Sequence, residues 1–228
     1  MQVRLTARLL LLLAFVYALA GCGSDTRTLT ALAPGSRILA FGDSLTYGTG
    51  APAAAYPLQL SRAIGFDVVN AGRPGEVSAD GARRLPGLLA ARRPALVILI
   101  HGGNDTLRRV AQTETAHNIE RMIEAARAHG AAVVLFAVPG ANITLSPPDY
   151  YAEIAERMDV PIDLDTLPTL MRDRHLKSDA VHFNAQGYEA LADAAQRLLI
   201  ESGALPSESI SEPRNSATRR SIRRHGKM

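Results

Sequence analysis

Ile38-Leu39-Ala40-Phe41-Gly42-Asp43-Ser44-Leu45 is a short apolar run that stops at a glycine and presents a serine. Four consecutive apolar residues without polar alternation suit a central parallel strand covered on both faces, and Gly42 with the polar pair behind it marks the exit from that strand. Ligands of open α/β sheets bind at the carboxyl ends of such strands. Ser44 is therefore either the cap of the next helix or a reactive group at a site. Which of the two it is depends on what the rest of the chain brings to the same edge.

Outward from this stretch, strands and helices alternate. Apolar spacing predicts a helix over Tyr56 to Ile64, then a strand over Phe66 to Asn70 that exits into Ala71-Gly72-Arg73-Pro74-Gly75-Glu76. A helix is expected from Val77 to Ala91, kinked or split by Pro86. Ala95 to Ile100 is the most apolar strand and exits into His101-Gly102-Gly103-Asn104-Asp105. An amphipathic helix from Thr113 to His129 ends at Gly130, and a fourth strand spans Ala132 to Ala137. Val138 to Asp149 reads as an irregular loop and Tyr150 to Met158 as a helix. Val160 to Asp163 is expected as a short edge strand, where Pro161 is tolerated. Leu167 to Arg174 is weakly helical, and after a loop from Ser178 to Phe183 the last helix opens at Asn184. This alternation implies a parallel sheet with right-handed crossovers.

Carboxyl ends of neighbouring parallel strands share one edge, so the exits at Ser44, Gly75 and Asn104 converge. A serine that transfers acyl groups needs a base and donors aimed at the oxyanion of the tetrahedral intermediate. Backbone amides of Ser44 and Gly75 and the Asn104 side chain would supply three. Of six histidines, His117, His129, His175 and His225 read as surface residues, and His101 reads as a buried, hydrogen-bonded residue. His182 differs, because Asp179 stands three residues before it in a loop ahead of the last helix. One tight turn can then bring the carboxylate to one ring nitrogen and leave the other for Ser44. Asp-x-x-His alone is weak evidence; with the other three elements in order it is strong.

Gly42-Asp43-Ser44-Leu45, the Asn70 to Glu76 loop, Gly102-Gly103-Asn104-Asp105 and Asp179-Ala180-Val181-His182 resemble the four blocks of the SGNH (GDSL) hydrolase family. Their spacing is most similar to the bacterial periplasmic thioesterase I, arylesterase and lysophospholipase subgroup. The resemblance spans about Arg37 to Ile200. It implies a three-layer α/β/α, flavodoxin-like fold with about five parallel strands, and a serine esterase acting on carboxylic esters, thioesters or lysophospholipids. It also implies Ser44 as nucleophile, His182 as base, Asp179 as its orienting partner, and Ser44, Gly75 and Asn104 as oxyanion donors. A carbohydrate O-acetyl esterase and a non-catalytic envelope lipoprotein are the alternatives. Relatives read Ser-Gly-Asp-Thr where Pro74-Gly75-Glu76-Val77 stands here, which leaves Gly72 as a rival to Gly75 and places the departure in the loop that shapes the acyl pocket. Phe183 replaces the usual proline after the histidine, and is expected to help cover an acyl chain. No Cys/His/Asp cluster has metal-ligand spacing and no glycine-rich stretch carries a P-loop lysine, so neither metal nor other cofactor is expected.

The ends of the chain differ from its middle. Arg4 and Arg8 precede an apolar run from Leu9 to Ala20 placed like the core of a signal peptide, and Leu19-Ala20-Gly21-Cys22 resembles a bacterial lipobox. Residues 1–21 are thus expected to be a lipoprotein signal and Cys22, the sole cysteine, to be lipidated, anchoring the chain to the outer membrane of a Gram-negative envelope. A tether over 22–35, a domain over 36–203 and a basic tail over 204–228 follow. The chain holds 25 basic and 22 acidic residues; without the two signal arginines and the tail's six basic and two acidic residues, 17 and 20 remain. The excess positive charge therefore belongs to the ends. A small ester substrate and a membrane are the expected partners, and nucleic acid is not.

Overall fold

In a computed structural model of the protein, residues 28–140 and 142–207 are described. The span read as a signal, Cys22 and the tail beyond Ser207 lie outside them. Five strands, β1 (Arg37–Gly42), β2 (Asp67–Gly72), β3 (Leu96–Ile100), β4 (Ala132–Phe136) and β5 (Ile162–Asp163), form one sheet in the order β2-β1-β3-β4-β5. Every pairing is parallel, with Gly42 opposite both Gly72 and Ile100. The chain steps from β1 to β2 on one side and then back to β3 on the other. The carboxyl end of β1 consequently lies at the switch in strand order, where a cleft opens.

Eight α-helices among the described residues cover the sheet: α1 (Ser44–Tyr47), α2 (Tyr56–Ile64), α3 (Ser78–Arg92), α4 (Gly103–Leu107), α5 (Gln112–Ala128), α6 (Tyr150–Arg157), α7 (Thr166–Arg172) and α8 (Ala185–Glu201). On one face α2 packs against α8 and α8 against α7; on the other α3 packs against α5 and α5 against α6. Opposite placement of the two groups is what right-handed crossovers in opposite directions produce. All five residues of β3 are buried, as are Ile38 to Gly42 in β1, which is why those strands read as unbroken apolar runs.

Gly42 ends β1 at a close approach. A Cβ there would lie 2.2 Å from the Ile100 carbonyl oxygen and 2.4 Å from Thr46 Oγ1, so only glycine lets the chain turn into α1 while staying in register with β3.

Four expectations shift. Pro86 does not split its helix: α3 runs unbroken from Ser78 to Arg92. Pro86 is exposed while Leu85 and Leu89 enter the core, so water can take the place of the missing N–H. The expected edge strand from Val160 shrinks to Ile162–Asp163, although Pro161 still accepts from the Leu135 amide through its carbonyl (2.9 Å). In the span read as a tether, Leu29 and Leu32 donate amide hydrogens to the carbonyls of Ser202 (2.6 Å) and Ala204 (2.9 Å). The folded unit thus starts before residue 36, and with Ala204 and Leu205 buried it extends past 203.

Candidate active site

Ser44 is the first residue of α1, directly behind the exit of β1. Asp43 caps that helix: its Oδ1 accepts from the Leu45 amide at 3.0 Å. Its Oδ2 accepts from Asn104 Nδ2 at 3.2 Å, so the residue before the serine ties the exit of β1 to that of β3. Burial pushes the Asp43 carboxyl up from its ordinary value, opposed by the neighbouring His101, the Leu45 amide and His182.

His182 reaches Ser44 from the far end of the chain. Its Nε2 lies 3.0 Å from Ser44 Oγ, and its Nδ1 lies 2.7 Å from Asp179 Oδ2. Asp179 Oδ1 also accepts the backbone amides of Val181 (2.7 Å) and His182 (2.8 Å). The His182 amide bond, the ring bond and the Val181 amide bond together lower the Asp179 carboxyl to about 2. An ionised carboxylate can only accept, so Nδ1 carries the ring proton and Nε2 is left to accept from the serine hydroxyl.

The loop is closed from both sides. Lys177 pairs with Phe183 in an antiparallel bridge, the Ser178 amide donates to the His182 carbonyl at 2.9 Å, and Lys177 Nζ donates to the Ala180 carbonyl at 2.5 Å. Phe183 does not cover the site. It is fully buried edge-on against Tyr188, with ring centroids 5.6 Å apart. In an extended segment neighbouring side chains point to opposite faces, so turning His182 to Ser44 turns Phe183 into the core.

Of the two candidate glycines, Gly72 is the last residue of β2; a Cβ on it would lie 2.0 Å from the Tyr47 nitrogen. Gly75 has φ +77° and lines the cavity that Ser44, Asn104 and His182 also line. Asn104 Nδ2 donates to the Glu76 carbonyl at 3.1 Å as well as to Asp43. The exits of β1, β2 and β3 are thus linked through one amide group.

A buried network behind Gly75 escaped the sequence reading. Glu76 accepts two bonds from Arg84, Nε to Oε1 at 2.7 Å and Nη2 to Oε2 at 2.6 Å, and its Oε2 lies 3.3 Å from His101 Nε2. The Gly102 amide donates to His101 Nδ1 at 3.1 Å, which places the proton of a neutral ring on Nε2, facing Glu76. Burial raises the Glu76 carboxyl, but hydrogen bonds from His101 and Arg84 outweigh it and hold the group at about 2. The Arg84 guanidinium also lies 4.3 Å over the Phe41 ring. The only sequence signal was a glutamate behind the glycine with arginines on the first turns of the next helix. His117, His129 and His175 are exposed, and His225 lies outside the described residues.

The cavity in front of Ser44 measures about 400 Å³. Its walls are largely apolar, from Leu107, Val138, Pro139, Leu145, Met171 and Val181, and the irregular loop after β4 supplies three of these.

A family model described as "GDSL-like Lipase/Acylhydrolase family" matches residues 40–190. Esterase TesA of Pseudomonas aeruginosa is 38% identical over 128 residues, 54% of this chain and 61% of that protein, so the match spans less than two thirds of its length. The Escherichia coli K12 protein named thioesterase 1/protease 1/lysophospholipase L1 is 30% identical over 169 residues, 68% of this chain and 79% of that one. A crystal structure of TesA superposes with a TM-score of 0.65 at 26% identity, covering 72% of this chain and 98% of the other.

Proposed function

Because the chain belongs to the GDSL-like lipase/acylhydrolase family, and so to a family of esterases, we propose that it hydrolyses carboxylic esters through an acyl-enzyme on Ser44. The observation that carries this reading is the unbroken relay from Asp179 Oδ2 through His182 to Ser44 Oγ, with links of 2.7 and 3.0 Å, opening onto an apolar cavity. Ser44 Oγ attacks the ester carbonyl while its proton passes to His182 Nε2. The Asp179 carboxylate holds the ring in the required tautomer and steadies the imidazolium that forms. Collapse of the tetrahedral intermediate expels the alcohol, which takes the proton from His182; a water activated the same way then releases the acid.

Amides of Ser44 and Gly75 and the Asn104 side chain are the oxyanion donors in this scheme. Asn104 Nδ2 holds its two present acceptors loosely, at 3.1 and 3.2 Å. A full charge developing on the substrate draws a stronger bond than the Glu76 carbonyl does. Acyl esters suit a cavity whose walls are largely apolar better than an acetylated polysaccharide, whose hydroxyl-rich chain needs polar partners. Thioesters and lysophospholipids, which the name of the E. coli relative suggests, fall within the same chemistry. Anchoring through an acylated Cys22 remains part of the proposal; unchanged membrane fractionation and palmitate labelling in Cys22→Ser would remove it.

The decisive experiment is hydrolysis of p-nitrophenyl butyrate and octanoate by the wild type, Ser44→Ala and His182→Ala. Each variant is expected to lose at least about 10⁴-fold in kcat, and Ser44→Ala to stop reacting with a fluorophosphonate probe. Near-normal turnover by Ser44→Ala ends the proposal, and faster deacetylation of an acetylated glycan than of either ester replaces the substrate class.

A further inference from the structure

Beyond Pro74 and Gly75, on the side away from Ser44, lies a second cleft of about 480 Å³ lined mainly by charged side chains. Its four arginines, Arg73, Arg83, Arg84 and Arg108, meet only two carboxylates, Glu76 and Asp80. Arg84 is matched by Glu76, which it grips with two bonds, and Arg83 by Asp80 one helical turn before it. Two positive charges are left over. Arg73 lies 3.9 Å from a Glu76 oxygen that Arg84 already occupies, and its side chain is 68% exposed. Arg108 is exposed and donates one bond, Nη2 to the Gly75 carbonyl at 2.8 Å; a guanidinium carries five N–H donors.

The two surplus arginines thus flank the loop whose other side faces the nucleophile. An ester carbonyl held among Ser44, Gly75 and Asn104 has two arms. If the acyl arm fills the apolar cavity, the alcohol or thiol arm leaves across Pro74 and Gly75 into the basic cleft. We infer that this cleft, through Arg73 and Arg108, binds a phosphate carried on the leaving group of the substrate. The planar guanidinium fork matches phosphate oxygens in pairs. The phosphate itself does not react: the acyl C–O or C–S bond breaks, water supplies OH to the acid and H to the phosphate-bearing alcohol or thiol. The inference rests on the esterase reading of Ser44 and adds a leaving-group preference to it.

Phosphate of this kind occurs in a glycerophospholipid headgroup and in phosphopantetheine, and two matched substrate pairs separate them. One pair is 1-acylglycerol 3-phosphate against 1-acylglycerol; the other is S-acyl-4′-phosphopantetheine against S-acylpantetheine, all with one acyl chain. The quantity read is the ratio of kcat/KM within each pair, for the wild type, Arg73→Gln, Arg108→Gln and the double variant. A common change in the Gly75 loop cancels in this ratio. The wild type is expected to favour the phosphorylated member of one pair or both by about tenfold, and the pair that shows it names the source. The ratio is expected to fall towards one in the double variant, and to shrink in the wild type when salt rises to 0.5 M, where charges are screened within a few ångströms. A ratio near one in both wild-type pairs, or one the double variant leaves unchanged, overturns the inference while hydrolysis of both members leaves the esterase reading intact. Absence of hydrolysis for all four, in a protein that still cleaves p-nitrophenyl butyrate or octanoate, also overturns the inference; failure on the p-nitrophenyl esters as well overturns the esterase reading.

Discussion

The two halves of the site are held in different ways. Ser44, Gly75 and Asn104 stand at the exits of three adjacent strands, backed by Asp43, Glu76 and His101, all buried and bonded to one another or to main chain. The His182 half rests on a loop in which Asp179 is half exposed and its bonds span at most three residues. In the proposed mechanism the oxyanion donors must be fixed before charge develops, which a buried network of long-range bonds provides. The base that mechanism assigns to His182 only has to keep its ring orientation through proton transfer, and a local turn suffices for that.

This contrast is sharpest in Asp179→Asn. The new side-chain oxygen can still accept from the Val181 and His182 amides, so the melting temperature is expected to stay within a degree or two. Its amide nitrogen, however, faces His182 Nδ1 and favours the wrong tautomer, and kcat is expected to fall by about 10³-fold. A large loss of stability would show that the exposed half is structural after all. Next in size, Phe183→Ala removes the one deep anchor of that loop, at a cost of about 3 kcal/mol in denaturant unfolding; a loss below 1 kcal/mol would mean that the local bonds alone hold it.

In the buried half, Glu76→Gln leaves Arg84 without its charge partner and is expected to cost about 2 kcal/mol at pH 7. The smallest effect lies in acid. The Glu76 carboxyl, ordinarily near 4.5, is held at about 2 in the folded protein. Its bonds therefore contribute stability above about pH 4.5 that is lost as pH falls towards 2. Thermal scans at pH 6 and pH 3 are expected to show a smaller drop for Glu76→Gln than for the wild type. Asp179 is lowered in the same direction, but solvent screens it, so Asp179→Asn is expected to follow the wild type. Equal pH sensitivity in all three proteins would erase the distinction between the halves.

Much of the architecture was legible because its signals are local. Leu96 to Ile100 and Ile38 to Phe41 are apolar throughout since both faces are buried, and Asp179 and His182 sit three residues apart because one turn joins them. What the sequence hid depends on three-dimensional meeting points. Glu76, Arg84 and His101 belong to three different elements, and nothing in their spacing shows that they touch. Phe183 turns into the core because it follows His182 in an extended segment, and Pro86 leaves its helix unbroken because it is exposed, which is a tertiary fact.

The last helix begins at Ala185, capped by Asn184 beside the site, and runs 17 residues back along the sheet, roughly 25 Å, to where Ser202 and Ala204 meet Leu29 and Leu32. Both ends of the folded unit therefore emerge together at the pole opposite Ser44. A short linker joining the two ends would permit circular permutation without crossing the edge that carries Ser44.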